Sequence, residues 1–276
     1  MILGEQAPPE SVDQLREKLG LNEPIIAQFT SFIVGIVVRG DTGTSLVYDV
    51  STRDLIVERA PISLALVALT VVFSVILAVP LAMAAATHRD RFLDHSIRVL
   101  PTIGLGMPTF WTGLILIVIF AVGLQWFPVG GVGTGPGEPL RSLVLPALTV
   151  SLGLVPSLVR SLRAQLLDVL DADFVATLTA ARVPRVRVLF RHVLRNAALP
   201  TLTLLGVNVA YLIGGTLVIE RVFAINGLGT LLFSAISNRD FPVVQGIALY
   251  SAIVVVFVTL VVDILIDILD PRVRRS

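Results

Sequence analysis

The sequence predicts an all-α polytopic membrane protein, on the basis of its composition and its long apolar segments. Of its 276 residues, 55% are hydrophobic and only 15% are charged, and the mean hydropathy is +0.88. Soluble domains carry about 25% charged residues, so an ordinary soluble enzyme is excluded. The chain has no cysteine and a formal net charge of +1. These values exclude a disulfide-stapled module, a thiolate metal site and a strongly basic nucleic-acid binder.

Five segments are long and apolar enough to cross a bilayer, because a spanning helix needs about 20 apolar residues. The predicted spans are residues 61–86, 97–123, 140–159, 197–219 and 241–263. A sixth apolar run, residues 24–38, is shorter and contains Gln28, Thr30 and Ser31. We therefore predict an interfacial or partly inserted helix for that run.

Basic residues are concentrated on one side of the predicted spans. Residues 87–98, residues 160–196 and the C-terminal tail hold 13 of the 21 Lys and Arg residues, and the alternate segments hold eight. Because loops rich in Lys and Arg stay in the cytoplasm, we expect these segments and the C-terminus inside the cell and residues 1–59 outside. Residues 1–59 contain no signal peptide that explains their export.

One basic connection is much longer than the others and reads DADFVATLTAARVPRVRVLFRHVLRNAALP over residues 171–200. Its first part predicts a short helix with Asp171 or Asp173 as N-cap. An amphipathic stretch follows, with Arg187 and Arg191 one turn apart on the same face. Two interpretations stay open: an anchor on anionic lipid headgroups, or a helix–turn–helix element presented to a soluble partner.

This segment resembles the coupling loop of bacterial ABC importer permeases, in particular the B-type permease of dipeptide, oligopeptide and nickel importers. The matching residues are Asp173, Phe174, Val175, Thr177, Ala180, Arg191, His192, Leu194, Arg195, Asn196, Ala197, Leu199 and Pro200. The likeness covers almost the whole chain. Further matching motifs are GDTGTS at 40–45, ERAP at 58–61, GMPTFW at 106–111, LQWFP at 124–128, Gly214, Gly215, Glu220, GLG at 227–229, NRDFPVVQG at 238–246 and DPR at 270–272.

The chain departs from the family pattern at three positions. Arg182 stands where the family carries a glycine, Leu178 where it carries an alanine, and Asn226 where a proline is usual. The first two changes imply either weaker coupling between the permease and its ATPase or a compensating change in that ATPase. Family members also begin with an additional membrane helix, and we expect either that this chain lacks it or that the start of the chain was assigned too late.

The resemblance implies a type I ABC importer bundle that moves peptides across the bacterial cytoplasmic membrane by alternating access. It implies three kinds of partner: a second homologous permease, two ATPase subunits that bind ATP and Mg²⁺, and an extracytoplasmic binding protein. We expect an extracytoplasmic segment 1–59, a permease domain 60–270 and a cytoplasmic tail 271–276. The chain has no P-loop sequence, and we expect it to carry no catalytic residue, cofactor, metal or nucleic acid.

The resemblance places the ATPase contact within residues 171–195. The candidate contact residues are Asp173, Thr177, Ala180, Ala181, Arg182, Pro184, Arg185, Arg187 and Arg191. For Arg182 we expect an ion pair with an acidic group of the ATPase, the alternative being a solvated cation.

A second candidate site, for a translocation gate, consists of Glu220, Gly214 and Gly215. The alternative for Glu220 is a structural pair with Arg221 or Arg239, because a charge this close to hydrocarbon needs a partner.

Other functions and substrates stay open at this stage. The same architecture serves importers of nickel, glutathione or other small solutes. A secondary transporter would predict an internal repeat and charges near the middle of the membrane, and we find neither. A membrane-embedded enzyme is disfavoured because His88, His95 and His192 all fall in basic connecting segments.

Overall fold

The computed structural model describes residues 22–40 and 42–269, which form an all-α bundle. Within these described residues, four helices are long and apolar enough to cross a membrane: Thr52–Thr87, Glu138–Leu170, Arg185–Leu212 and Phe241–Ile268. Shorter apolar helices accompany them: Ile25–Val34, Thr109–Gly123 and Leu228–Ser237. The predicted fold class is confirmed. Residues 1–21 of the predicted N-terminal segment and the predicted tail 271–276 lie outside the described residues.

We number the α-helices in chain order. They are α1 (Ile25–Val34), α2 (Thr52–Thr87), α3 (Phe92–Leu105), α4 (Thr109–Leu116), α5 (Glu138–Leu170), α6 (Asp173–Ala180), α7 (Arg185–Arg187), α8 (Leu194–Gly215), α9 (Leu217–Val222), α10 (Leu228–Ser237) and α11 (Phe241–Leu269). Three π-helical turns follow α1, α4 and α7: Gly35–Arg39, Ile117–Gly123 and Val188–Val193. The last of these joins α7 to α8 without a break.

The second predicted span, residues 97–123, is not among these four long helices, because the chain divides this segment between α3 and α4. Pro108 stands at the N-cap of α4 with φ −58° and ψ 136°, an extended conformation that separates α4 from α3. The N–H groups of Trp111 and Thr112 both donate to the Pro108 carbonyl, at 2.9 and 3.2 Å. The other predicted spans lie largely inside long helices. Two of these helices extend well beyond their spans, because α2 begins at Thr52 and α5 continues to Leu170.

Small side chains let α2 pack closely on α5 at one end of the bundle. We call this end, which carries residues 88–98 and 163–196, the basic end. Ala78, Ala82 and Ala85 recur on one face of α2 and are almost completely buried. They belong to one cluster with leucines of α5 such as Leu162. Small residues let helix backbones approach closely in a bilayer, where dispersion contacts replace the hydrophobic effect.

Two other clusters fill the opposite end of the bundle. In the first, Leu66 of α2 and Leu145 of α5 pack with Phe223, which directly follows α9. In the second, Leu231 of α10 packs with Val243 of α11. The short helices α9 and α10 are therefore held by the long ones.

Helix α1 forms where the apolar run 24–38 predicts a helix, and none of its ten residues is buried. Ile25 and Phe29 are among its exposed apolar side chains. Its interfacial placement stays a prediction.

A buried ion pair joins α3 to α5 at the basic end. Asp94, which precedes the predicted span 97–123, is completely buried, and its two carboxylate oxygens accept hydrogen bonds from Arg163 Nε and Nη2, both at 2.6 Å. Asp94 Oδ2 also accepts the Asp90 backbone N–H at 3.1 Å. The Arg163 hydrogen bonds hold the pKa of Asp94 below its usual value, although burial alone would raise it. Arg163, which we predicted in a connecting segment, belongs to α5.

We predict that Asp94→Asn lowers the free energy of unfolding by about 3 kcal/mol, because it leaves the Arg163 guanidinium without its carboxylate. The folded-state pKa of Asp94 is depressed. Its stabilisation is therefore complete above the unfolded pKa of about 3.9 and is lost as the pH falls through the folded-state pKa. Denaturant unfolding in detergent should thus show a constant difference in the free energy of unfolding between Asp94→Asn and wild type from about pH 5 to 8. Below about pH 4 this difference should become smaller.

The matched control is Asp171→Asn, because Asp171 also pairs with an arginine, Arg89, but both side chains are exposed. Its effect on the free energy of unfolding should be at most about 1 kcal/mol. Equal losses in the two variants would contradict the importance of the buried pair.

Candidate functional site

Helix α6 presents one face to the core and the other to the surroundings. Val175 is buried and Leu178 is partly buried, and both pack with the α2–α5 cluster at the basic end. Asp173, Thr177 and Ala180 are exposed and follow an i, i+4, i+7 spacing, which puts them on one face of the helix. The predicted contact residues of α6 therefore share a surface that the core does not cover.

The N-terminus of α6 differs from the prediction. Ala172 stands at the N-cap, and no side chain caps the helix there. Asp173 is the first helical residue, where its charge interacts favourably with the N-terminal end of the helix dipole. Asp171 Oδ2 lies 3.3 Å from Arg89 Nη1 instead. The prediction of an aspartate N-cap is therefore wrong. Asp171 ends α5 and pairs with Arg89, whereas Asp173 already lies inside α6.

The C-terminus of α6 is a Schellman motif with Arg182 at its left-handed position. The Val183 N–H donates to the Leu178 carbonyl at 3.1 Å and the Arg182 N–H to the Thr179 carbonyl at 3.0 Å, the two bonds that define the motif. Arg182 has a φ of +56°, a conformation that costs a non-glycine residue about 1–2 kcal/mol. The backbone thus keeps a conformation typical of glycine at a position where the side chain is arginine.

The chain leaves this motif through Pro184, which stands at the N-cap of α7. Val188 and Val193 in the following π-helical turn are buried in the basic-end cluster. The arginines between and beside them remain exposed. We call Arg182, Arg185, Arg187 and Arg191 the cationic surface. In the described part of the chain, no carboxylate lies within 4 Å of their guanidinium nitrogens.

All nine predicted contact residues are therefore exposed and lie in the segment from α6 to the π-helical turn after α7. Their role in binding an ATPase stays a prediction.

Glu220 lies at the opposite end of the bundle and is completely buried. Its Oε1 accepts hydrogen bonds from Ser63 Oγ at 2.7 Å and from Thr216 Oγ1 at 3.3 Å. Its Oε2 accepts the Thr230 N–H at 3.0 Å, and the Gly229 N–H also donates to the carboxylate. Among the described residues, hydroxyl and amide donors hold this carboxylate, and Arg221 and Arg239 are not among its partners.

The same contacts cap helix α10 with groups from other helices. Ser63 Oγ accepts the Leu228 N–H at 2.8 Å, so the first three amides of α10 are bound by Ser63 and Glu220. A Cβ on Gly227 would lie 2.5 Å from Ser63 Oγ and 2.6 Å from Glu220 Cδ. Glycine is therefore required at the N-cap of α10.

The other residues of the predicted gate are arranged differently. Gly214 and Gly215 end α8, are exposed, and have nothing within 4 Å of a built Cβ. The Arg221 guanidinium lies over the Phe233 ring, 4.4 Å from its centroid. Arg239 follows α10 with a φ of +57°. The gate role of Glu220, Gly214 and Gly215 stays a prediction.

Comparison with known families identifies the type of protein. Residues 78–275 match the family described as binding-protein-dependent transport system inner membrane component, and residues 1–68 match the N-terminal part of such membrane components. The chain belongs to this family. It is thus a permease, as the sequence motifs indicated.

Named relatives cover nearly the whole permease. A putative peptide transport system permease of Brucella abortus (strain 2308) is 36% identical over 277 residues, which cover 99% of this chain and 88% of that protein. The oligopeptide transport system permease AppB of Bacillus subtilis (strain 168) is 38% identical over 268 residues, 95% of this chain and 84% of that protein. Among solved structures, the inward-facing methionine ABC transporter MetNI matches with a TM-score of 0.65 at 14% identity, over 78% of this chain and 96% of that chain. This last likeness shows a shared fold.

The permease contains another buried carboxylate that sequence analysis did not single out. Asp240, directly before α11, is completely buried and accepts hydrogen bonds from Ser45 Oγ and from the Leu46 N–H at 3.1 Å. Asp240 belongs to the motif NRDFPVVQG and Ser45 to the motif GDTGTS, so these two motifs, far apart in the sequence, are in contact in the structure. Ser63 was likewise missed, because nothing in a long apolar span distinguishes one serine from another. No group of three or more His, Asp or Glu residues within the described ranges is placed to hold a metal ion.

We predict that Gly227→Ala destabilises the permease by about 2 kcal/mol, because the new methyl group overlaps with Ser63 and Glu220. The control is Gly214→Ala, which meets open space within a helix and should be neutral or stabilising by up to about 1 kcal/mol. Unfolding of both variants in detergent micelles tests the difference. A Gly227→Ala protein as stable as wild type would show that the cap of α10 is looser than described.

Proposed function

We propose that this chain is the permease subunit of an ATP-driven ABC importer that moves peptides across the cytoplasmic membrane of a bacterium. The observation that carries the proposal is α6, an exposed helix held on the core by Val175 and Leu178 within a permease of this family. A peptide substrate is supported by the names of the two relatives above, both assigned to peptide or oligopeptide transport.

The chain receives force through α6 and distributes it to the long helices. Val175 and Leu178 pack into the cluster that also contains residues of α2, α5 and α8. A push on α6 therefore displaces three long helices together, since close-packed interiors transmit strain rather than absorb it. Closure of two ATPase subunits would in this way switch the permease between outward-open and inward-open states.

The partners follow from this mechanism. A second homologous permease completes the translocation path, two ATPase subunits bind ATP and Mg²⁺, and an extracytoplasmic binding protein delivers the substrate. The described chain supplies the docking surface, formed by the exposed face of α6 and by the cationic surface.

Glu220 serves the outer gate by holding α10. Its carboxylate connects α9 with the first turn of α10 and, through Ser63, with α2. These three elements consequently move as one unit when the long helices tilt. Gly214 and Gly215, which are exposed at the end of α8, form the hinge between α8 and this unit.

The basic end lies in the cytoplasm and the opposite end lies outside. This orientation follows from the bias of Lys and Arg toward residues 87–98, residues 160–196 and the C-terminal tail. It places the C-terminus and the coupling loop 171–195 on the side where ATP is available, in a multi-pass protein of the cell membrane.

Ala180→Asp tests the function. A carboxylate in a close-packed docking surface loses its water without gaining a partner, which costs several kcal/mol. We expect the variant transporter to lose peptide uptake into proteoliposomes and stimulation of ATP hydrolysis by the peptide-loaded binding protein.

Ala180→Ser is the matched control, because it adds a small uncharged group at the same position and should retain uptake. Normal coupling in an assembled Ala180→Asp transporter would overturn the docking role of α6. Uptake of nickel ions but not of peptides by the wild type would correct the substrate and leave the docking role in place.

Cysteine labelling tests the orientation, since the chain has no cysteine of its own. Thr134 and His95 are exposed at opposite ends of the bundle and are suitable positions. In intact cells, a membrane-impermeant maleimide should label Thr134→Cys and spare His95→Cys until the membrane is opened. Labelling of His95→Cys from outside would reverse the proposed topology.

A further inference from the structure

The cationic surface carries charge that the described part of the chain does not neutralise. Its four arginines are exposed, and no carboxylate of the described residues lies within 4 Å of them. Asp171, in the same connection, is paired with Arg89. Asp173 lies at the other end of α6, more than two turns from Arg182. A partner that covers this surface therefore has to supply negative charge, because burying unpaired guanidinium groups is costly.

Arg182 is the member of this surface with a strained backbone, with a φ of +56° at the left-handed position of the Schellman motif. The Schellman hydrogen bonds and the packing of Leu178 and Val183 against the basic-end cluster hold the backbone in this conformation and leave the arginine side chain outside the core. Arg182 is exposed, and its side chain has no ion pair among the described residues.

Arg239 provides an internal comparison at the opposite end. It also occupies the left-handed position of a Schellman motif, with a φ of +57° and bonds from the Arg239 N–H to the Ile236 carbonyl and from the Asp240 N–H to the Ala235 carbonyl. There the motif leads directly into Asp240, which is buried and binds the loop around Ser45. The conformation of Arg239 thus accompanies a polar contact inside the permease, whereas the residue after Arg182, Val183, packs on the apolar cluster at the basic end.

We propose that Arg182 forms an ion pair with an acidic side chain of the ATPase subunit and that this pair selects the ATPase with which the permease assembles. The inference rests on the proposed function, because it takes the cationic surface as the docking site. A carboxylate fits this role because the guanidinium fork binds it in a bidentate manner. An ATPase without an acidic group at this place would leave the guanidinium without a partner and would bind the permease more weakly.

The test measures the affinity between the ATPase subunits and the complex of the two permeases, held in nanodiscs of neutral phosphatidylcholine, at about 0.05 and 0.3 M salt. Arg182→Gln removes the charge and keeps the strained backbone, Arg182→Lys keeps the charge, and Arg182→Gly removes both. We expect Arg182→Gln and Arg182→Gly to weaken binding about three- to fivefold at low salt and to reduce its salt dependence. Arg182→Lys should retain most of the affinity.

Arg239→Gly is the matched control, because it relieves the same backbone strain at the end that cannot touch the ATPase. Both glycine variants should raise the melting temperature of the permease. Only Arg182→Gly should weaken ATPase binding. A loss of affinity in Arg239→Gly of the same size would show that backbone strain, and not the ion pair, controls assembly.

The remaining outcomes separate this inference from the proposed function. Unchanged affinity and salt dependence in Arg182→Gln would overturn the ion pair, and the proposed function would still stand if Ala180→Asp prevents coupling. If Ala180→Asp is also without effect, the docking site itself is wrong. A contribution of Arg182 that requires anionic phosphatidylglycerol in the nanodisc would assign the arginine to lipid headgroups and overturn the proposal.

Discussion

A helix that ends within or beside a membrane leaves backbone N–H groups that hydrocarbon cannot hydrogen-bond. In the described part of the permease, three completely buried carboxylates accept backbone N–H groups of a helix start or of a loop. Asp94 binds an amide of the loop before α3, Glu220 binds the first turn of α10, and Asp240 binds the loop 45–47. Each carboxylate also binds a side chain from a distant helix or loop. The bundle can therefore contain short and interrupted helices while these donors stay paired.

The two ends of the bundle meet this constraint with different chemistry. At the basic end the carboxylate of Asp94 faces the guanidinium of Arg163, whose side chain is 14% exposed. At the opposite end Glu220 and Asp240 accept hydrogen bonds from serine hydroxyls and backbone amides. The first arrangement braces α3 against α5 at the end that carries α6. The second fixes α10 and the start of α11 to α2 and to the loop before it. Long helices connect the two braced ends, which suits a protein that transmits movement from one side of a membrane to the other.

The effect of a proline on a helix cannot be predicted from the local sequence. Pro61, Pro80, Pro146 and Pro156 all lie inside intact long helices, whereas Pro108 separates α3 from α4. Each proline removes one backbone donor, and the neighbouring helices decide whether the chain continues or turns at that point. Hydrophobicity predicted one span over residues 97–123, and it could not predict that the chain divides this segment between two shorter helices.

The sequence by itself determined the fold class and the approximate position of four long apolar helices, because length and hydrophobicity are properties of each segment alone. The family was indicated by the order of many short motifs along the chain. Tertiary structure decided the partners of the buried charges. Arg163 and Asp94 are 69 residues apart, Ser63 and Glu220 are 157 apart, and Ser45 and Asp240 are 195 apart. No local pattern relates positions at such separations, since the pairing depends on which helices pack together. Arg182 illustrates both contributions. The sequence motif identified it as a position where the family carries glycine, and the structure showed that its backbone is left-handed although the residue is arginine.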